Sequence, residues 1–151
     1  MSTDKKVLRV LVVGCGNMGA SHATAYQGLE GVEICGLVSK GKSKEVLDKK
    51  LGGGYTLFND FHEALKTTQP DAVCIATYPD THERYAIEAL EQGCHVFIEK
   101  PLADSVKGAE RVAQAAKKAN KKLVVGYILR HHPSWEKFVE LSHQLGKPLV
   151  M

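Results

Sequence analysis

The sequence has no long apolar run. Its opening stretch, MSTDKKVLRVLVVGCGNMGA, imitates a leader with a cysteine for lipid attachment, but Arg9 interrupts it and only Val10 to Val13 follow before the first glycine. That is too short for the apolar core of a signal peptide, and no other window approaches a membrane span. Cysteines are few and unpaired in pattern: Cys15, Cys35, Cys74 and Cys94 show no C-x-x-C spacing, and each lies in or beside an apolar run. Reduced, buried thiols of a cytoplasmic protein are expected, with neither a disulfide framework nor a metal site. Charge excess is also small. With 20 Lys and Arg against 17 Asp and Glu, the net charge is +3, and no basic stripe is interleaved with aromatics. Nucleic acid is therefore excluded as an expected partner.

The 151 residues, 44% hydrophobic and 25% charged, suit one soluble domain with a proper core. Short β-branched runs alternate with helix-period stretches. Strands are predicted over Val7–Val13, Val32–Val38, Tyr55–Phe58, Ala72–Ala76, His95–Ile98 and Leu123–Tyr127. Most are nearly continuous apolar runs, as parallel strands covered on both faces require. In PDTHERYAIEALEQG, Asp80 is expected to cap a helix, with Ala86, Ala89 and Leu90 as its buried stripe and Gly93 as its stop. In DSVKGAERVAQAAKKAN, Asp104 or Ser105 caps, Val106, Ala109, Val112, Ala113 and Ala116 face the sheet, and Asn120 suits a left-handed exit. Lys117, Lys118, Lys121 and Lys122 gather at that helix's end, where cations complement the dipole. Strict strand–helix alternation over about six strands predicts an α/β fold, a doubly wound parallel sheet of the Rossmann type.

Gly14, Gly16 and Gly19 form a G-x-G-x-x-G between the first strand and the first helix. In that context Gly14 permits the tight turn, Gly16 lets backbone approach a pyrophosphate, and Gly19 lets helix pack on strand. Amides at the helix start can then hold an anion. The ligand expected is a dinucleotide, with a methyltransferase-type loop as the competing reading. What is missing is the acid that ends the second strand of an NAD site and binds the ribose 2′-hydroxyl. GLVSKGKSK stands there, with Ser39 at the acid's place and no carboxylate before Glu45. Ser39, Lys40 and Lys42 suit a 2′-phosphate, so NADP is expected over NAD, with NAD possible.

Three stretches, GCGNMGASHATAY, DAVCIATYPDTHERYAIEALEQGCHVFIEKPLA and VGYILRHHPSW, together resemble the glucose–fructose oxidoreductase / inositol dehydrogenase family. The resemblance implies an NAD(P)-binding domain over residues 1–146, with 147–151 beginning a C-terminal substrate domain. It also implies an oxidoreductase acting on a sugar-like small molecule and, once that second domain is joined, a homo-oligomer. It assigns Gly14, Gly16, Asn17 and Met18 to the phosphate loop. Ala76, Thr77, Pro79 and His82 fall to the turn under the nicotinamide ribose, Glu99 and Lys100 to the Glu-Lys-Pro element, and Arg130 to the cofactor end of the sixth strand. Lys100 would exchange the substrate's hydroxyl proton as hydride moves, a role for which partial burial and the positive nicotinamide ring would favour the neutral amine. Glu99 would orient Lys100 or contact the ribose. His22 reads as a packing or capping residue, Trp135 and Phe138 as core or interdomain contacts, and His131 and His132 as bearing no metal. A stand-alone dinucleotide-binding module without turnover is the alternative.

Overall fold

The computed structural model describes residues 7–147. Its six strands are β1 (Leu8–Val13), β2 (Val32–Val38), β3 (Leu57–Phe58), β4 (Ala72–Ile75), β5 (His95–Ile98) and β6 (Leu123–Val125). They form one sheet in the order β3-β2-β1-β4-β5-β6, parallel throughout. The intervening helices are α1 (Asn17–Gln27), α2 (Ser43–Lys50), α3 (Phe61–Thr68), α4 (Pro79–Glu91) and α5 (Val106–Ala119). A 3-10 turn (Ile128–His131) and α6 (Pro133–Gln144) follow β6.

The side-chain period of the strands divides the interior into two layers. In β1, Leu11 and Val13 join Ala64, Ala86, Leu90 and Val112 of α3, α4 and α5, while Val12 joins Ala23 and Leu47 of α1 and α2. This is the doubly wound arrangement expected, and it explains why the strands carry no polar alternation. Alanines at the helix–sheet contacts let the layers close: Ala23, Ala64, Ala86 and Ala89 are fully buried.

The helix ends follow local chemistry. The Asp60 carboxylate accepts the Glu63 amide at 2.9 Å and starts α3. Of the two predicted caps for α5, Ser105 is the one used, accepting the Gly108 amide at 3.0 Å. Asn120 ends α5 with φ of 52°, and Gly93 follows α4 with φ of 80°, both in the left-handed region. Three local expectations are corrected. Helix α4 starts at Pro79 with Tyr78 as its extended cap, so Asp80 lies inside the first turn; proline's fixed φ and missing amide suit that first position. On α5 the buried stripe is Gly108, Val112 and Ala116, whereas Val106 and Ala113 face outward. Val106 opens the helix, ahead of the turn that reaches the sheet. Strand β3 pairs only through Leu57 and Phe58, leaving Tyr55 and Thr56 as its approach.

Trp135 and Phe138 stack on each other at 5.3 Å, yet both are about half exposed, and no residue of α6 is buried. The core position expected for them is not seen among the described residues. Of the segment 147–151 only Lys147 is described, so the expected domain start lies almost wholly outside the described residues.

Candidate functional site

The chain turns from one face of the sheet to the other between β1 and β4, and in an open α/β sheet the ligand crevice lies at the carboxyl ends of the strands at such a point. The glycine loop lies there. Gly14 has φ of 91°, and a Cβ on it would fall 2.4 Å from the Ala76 carbonyl oxygen. A Cβ on Gly19 would fall 1.7 Å from the Gly14 oxygen. Only glycine lets loop, helix and β4 turn approach this closely. Gly16 differs: its φ is −74° and nothing lies within 4 Å of its would-be Cβ. The space beside it opens outward at the start of α1, where no acidic side chain occupies the first turn. Exposed Asn17 and Met18 flank it. A cradle with two crowded glycines and one open one, below free helix amides, fits a pyrophosphate.

At the end of β2, the Ser39 amide donates to the Phe58 oxygen at 3.1 Å, and the Ser39 hydroxyl meets that of Ser43 at 2.7 Å. Lys40 and Lys42 are exposed beside this pair. Lys44 is not: its Nζ donates to the Gly41 oxygen at 2.9 Å and lies 3.3 Å from the Glu45 carboxylate. The Glu45 carboxyl is held below the usual range, first by its own backbone amide and then by Lys44. Ser43 and Lys44 were not singled out by sequence. Ser43 opens α2 four residues after Ser39, a spacing visible in sequence, whereas nothing there marks Lys44 among its neighbouring lysines.

The β4 turn brings Ala76, Thr77 and Pro79 to the same crevice. The Ala76 amide donates to the Val13 oxygen at 2.7 Å, tying the turn to β1. The Thr77 and Thr81 hydroxyls are 2.7 Å apart, and Thr81 donates onward to the Tyr78 oxygen at 2.8 Å. His82 is 1% exposed. Its Nδ1 lies 2.6 Å from the Pro101 oxygen and its Nε2 3.1 Å from the Thr77 oxygen. The ring therefore lies between the β4 and β5 turns with a backbone carbonyl against each nitrogen, and a neutral ring donates to one of the two.

Strand β5 delivers Glu99 and Lys100 to this edge, followed by a cis Lys100–Pro101 bond. The two charges part company. Lys100 is exposed, not partly buried as expected, while Glu99 is 6% exposed and turned inward. The Glu99 carboxylate takes the Nε2–H of His22 at 2.8 Å through Oε1 and the Lys100 amide at 3.3 Å through Oε2. Its third side abuts Gly126, where a Cβ would stand 3.2 Å from Oε1. His22 packs edge-on against Phe97, with ring centroids 4.8 Å apart. Arg130 sits exposed in the 3-10 turn and, with His131, Trp135, Val139 and His143, lines an open groove of about 600 Å³. A smaller hollow of about 250 Å³, lined by Leu8, Pro70, Gly93 and His95, opens at the opposite edge of the sheet, away from the glycine loop. The crevice holding the loop, Thr77 and Lys100 is the chemically equipped one.

Among the described residues no three His, Cys, Asp or Glu side chains converge as metal ligands, and no helix is long and apolar enough to cross a membrane. The four cysteines are unpaired. Burial pushes the Cys15 and Cys94 thiols up to about 11 and that of Cys74 to about 12.

Comparison with known proteins agrees with this geometry. The chain is 34% identical over 154 residues to inositol 2-dehydrogenase 4 of Saccharopolyspora erythraea, covering 98% of this chain and 45% of that protein. It is 29% identical over 148 residues to the inositol 2-dehydrogenase of Paracoccus denitrificans, covering 95% and 44%. The crystal structure of scyllo-inositol dehydrogenase from Lactobacillus casei, with bound NAD(H) and scyllo-inositol, superposes with a TM-score of 0.82 at 26% identity, over 94% of this chain and 42% of that one. The chain thus spans less than half the length of these relatives. Residues 8–127 match the family described as an oxidoreductase family with an NAD-binding Rossmann fold, so the methyltransferase alternative is set aside. With its 3-2-1-4-5-6 sheet, its glycine cradle and its Glu-Lys-Pro exit, the chain belongs to that family, the one typified by glucose–fructose oxidoreductase and inositol dehydrogenase.

Proposed function

We propose that this chain is the cofactor-holding domain of an NADP-preferring oxidoreductase acting on a sugar, cyclitol or related hydroxyl or carbonyl compound. Exposed Lys100, at the sheet edge that also carries the Gly14–Gly19 loop, is the observation that carries the reading. The relatives' inositol substrates support the substrate class. Bound in the crevice, the nicotinamide would supply the hydride acceptor or donor. The chain's own groups do the rest. Amides at the start of α1 bind the pyrophosphate, with Gly16 leaving room for it. Ser39, Lys40 and Lys42 take the 2′-phosphate, donating a hydroxyl bond and two cationic contacts. Thr77 and Pro79 border the ribose side, and His82 keeps their turn in register with that of Pro101. The Lys100 amine accepts the substrate's hydroxyl proton in oxidation and returns it to the carbonyl oxygen in reduction.

Titration of the 151-residue chain with NADPH and NADH, followed by reduced-nicotinamide fluorescence, tests the reading. NADPH is expected to bind more tightly. Equal or tighter NADH binding removes the NADP preference, and binding of neither removes the cofactor role. Lys100→Ala should leave that affinity within about twofold while abolishing any turnover of a cyclitol or sugar; retained turnover refutes the proton-transfer role.

A further inference from the structure

The Glu99 carboxylate is the buried charge closest to the proposed chemistry, and its partner comes from the helix that begins at the glycine loop. His22 lies one turn past Gly19 on α1, and its Nε2–H reaches Glu99 Oε1 at 2.8 Å across 77 residues of sequence. The other carboxylate oxygen takes the Lys100 backbone amide at 3.3 Å. Gly126, just past β6, closes the third side, where a Cβ would stand 3.2 Å from Oε1. A carboxylate this buried must keep its hydrogen bonds, because losing one leaves a charge uncompensated. The contacts thus link α1, the β5 exit and the β6 exit through one rigid group. Glu99 is buried and His22 half-buried, flanked by Phe97 at 4.8 Å and Tyr26 at 6.4 Å, ring to ring.

We infer that His22 is a positioning residue for the nicotinamide half of the cofactor site, acting through Glu99 on the backbone of Lys100. This rests on the cofactor reading above. The adenosine half, bounded by Ser39 and Lys42 at the end of β2, lies away from the pair, so the two halves of the ligand should report on it differently.

Two substitutions separate positioning from simple packing. His22→Phe keeps a ring against Phe97 and removes the donor; His22→Gln keeps a donor near the Nε2 position and removes the ring. Each is titrated with NADPH or NADH, whichever wild type binds more tightly, and with the matching adenosine fragment (adenosine 2′,5′-bisphosphate or ADP) as probe of the other half. The expected result is that His22→Phe weakens the intact dinucleotide by about tenfold, with the fragment changed less than about twofold. His22→Gln should restore the dinucleotide to within about threefold of wild type, with bound-nicotinamide fluorescence returning to the wild-type spectrum. If His22→Phe binds like wild type while His22→Gln fails, the ring only packs and the inference is overturned. Equal weakening of dinucleotide and fragment overturns it too. Should His22→Phe not fold, His22→Gln alone decides: loss of the dinucleotide with the fragment retained refutes rescue by the donor, and wild-type binding of both supports it. If wild type binds the fragment but gains nothing from the nicotinamide half, the inference fails while the adenosine site stands; binding of neither ligand overturns the cofactor reading itself.

Discussion

Alanine at Gly16 and at Gly19 should have opposite signatures, although the two glycines belong to one motif. At Gly19 a Cβ would sit 1.7 Å from the Gly14 oxygen and 2.9 Å from its carbonyl carbon. Ordinary contact needs about 3.5 Å, so loop backbone must yield by well over an ångström. Alanine in α1 gains about 1 kcal/mol of helix propensity. Overpacking against backbone costs about 3 kcal/mol or more, leaving a net loss of about 2 kcal/mol. For a domain of this size that lowers the melting midpoint by about 4–8 °C. Gly16 has dihedrals that alanine adopts freely, with φ of −74° and ψ of −165°, and no atom within 4 Å. Its gain from a stiffer unfolded chain, about 0.4–1 kcal/mol, is offset by alanine's poorer capping, so the midpoint should stay within about 2 °C. Binding reverses the order of interest: the Gly16 methyl fills the room left for the pyrophosphate and should weaken reduced cofactor by at least about tenfold without unfolding anything. Circular-dichroism melts and fluorescence titrations read both quantities. A Gly16→Ala protein that melts like Gly19→Ala, or binds cofactor like wild type, would refute the assignment of an open and a crowded glycine.

Ser39→Asp puts a carboxylate beside the position proposed for the 2′-phosphate; NADPH affinity should fall by at least about tenfold while NADH holds or improves, measured by paired titrations. Gly126→Ala drives a methyl to 3.2 Å from Glu99 Oε1 and should cost about 1–2 kcal/mol, seen as a lower melting midpoint with the far-UV spectrum unchanged. The cysteines set an alkaline limit. Burial raises the folded thiols of Cys15, Cys94 and Cys74 from 9.0 to about 11, 11 and 12, so above pH 9 the unfolded chain binds fewer protons than the folded one. Their contribution is complete below pH 9 and is lost as pH rises through 11 to 12; midpoints that stay level from pH 8.5 to 11 would contradict it.

Most of the architecture is legible in the residues because a doubly wound sheet is specified locally. Each strand is a short apolar run, each helix has its own stripe and ends, and right-handed crossovers leave little choice of order. The glycine loop is legible for the same reason, since its three glycines answer to steric demands within one turn. Errors arise where two local rules compete, as when Pro79 displaced Asp80 from the cap, or where a stripe began one turn too early, as at Val106. The His22–Glu99 contact could not be read this way. Its members are 77 residues apart, and His22 looks like any polar residue on a helix until the end of β5 is laid beside α1. The clue available was its place, three residues after the helix-packing glycine and one before fully buried Ala23. Lys44 carried a weaker clue still, because a lysine in a lysine-rich stretch gives no sign of which member will turn inward.

Helix α6 has a consequence for how the molecule opens. None of its residues is buried, and its main packing is with the short turn before it, so its twelve residues rest on local hydrogen bonds that an isolated helix of that length barely sustains in water. Amide hydrogens of residues 133–144 should therefore exchange through local fraying, orders of magnitude faster than those of β1, β4 and β5, which exchange only when the sheet itself comes apart. The cooperative unit, read from burial, closes at about Gly126, essentially where the family match ends at residue 127. The cooperative unit should therefore end before α6, although similarity to inositol 2-dehydrogenase 4 runs on through that helix.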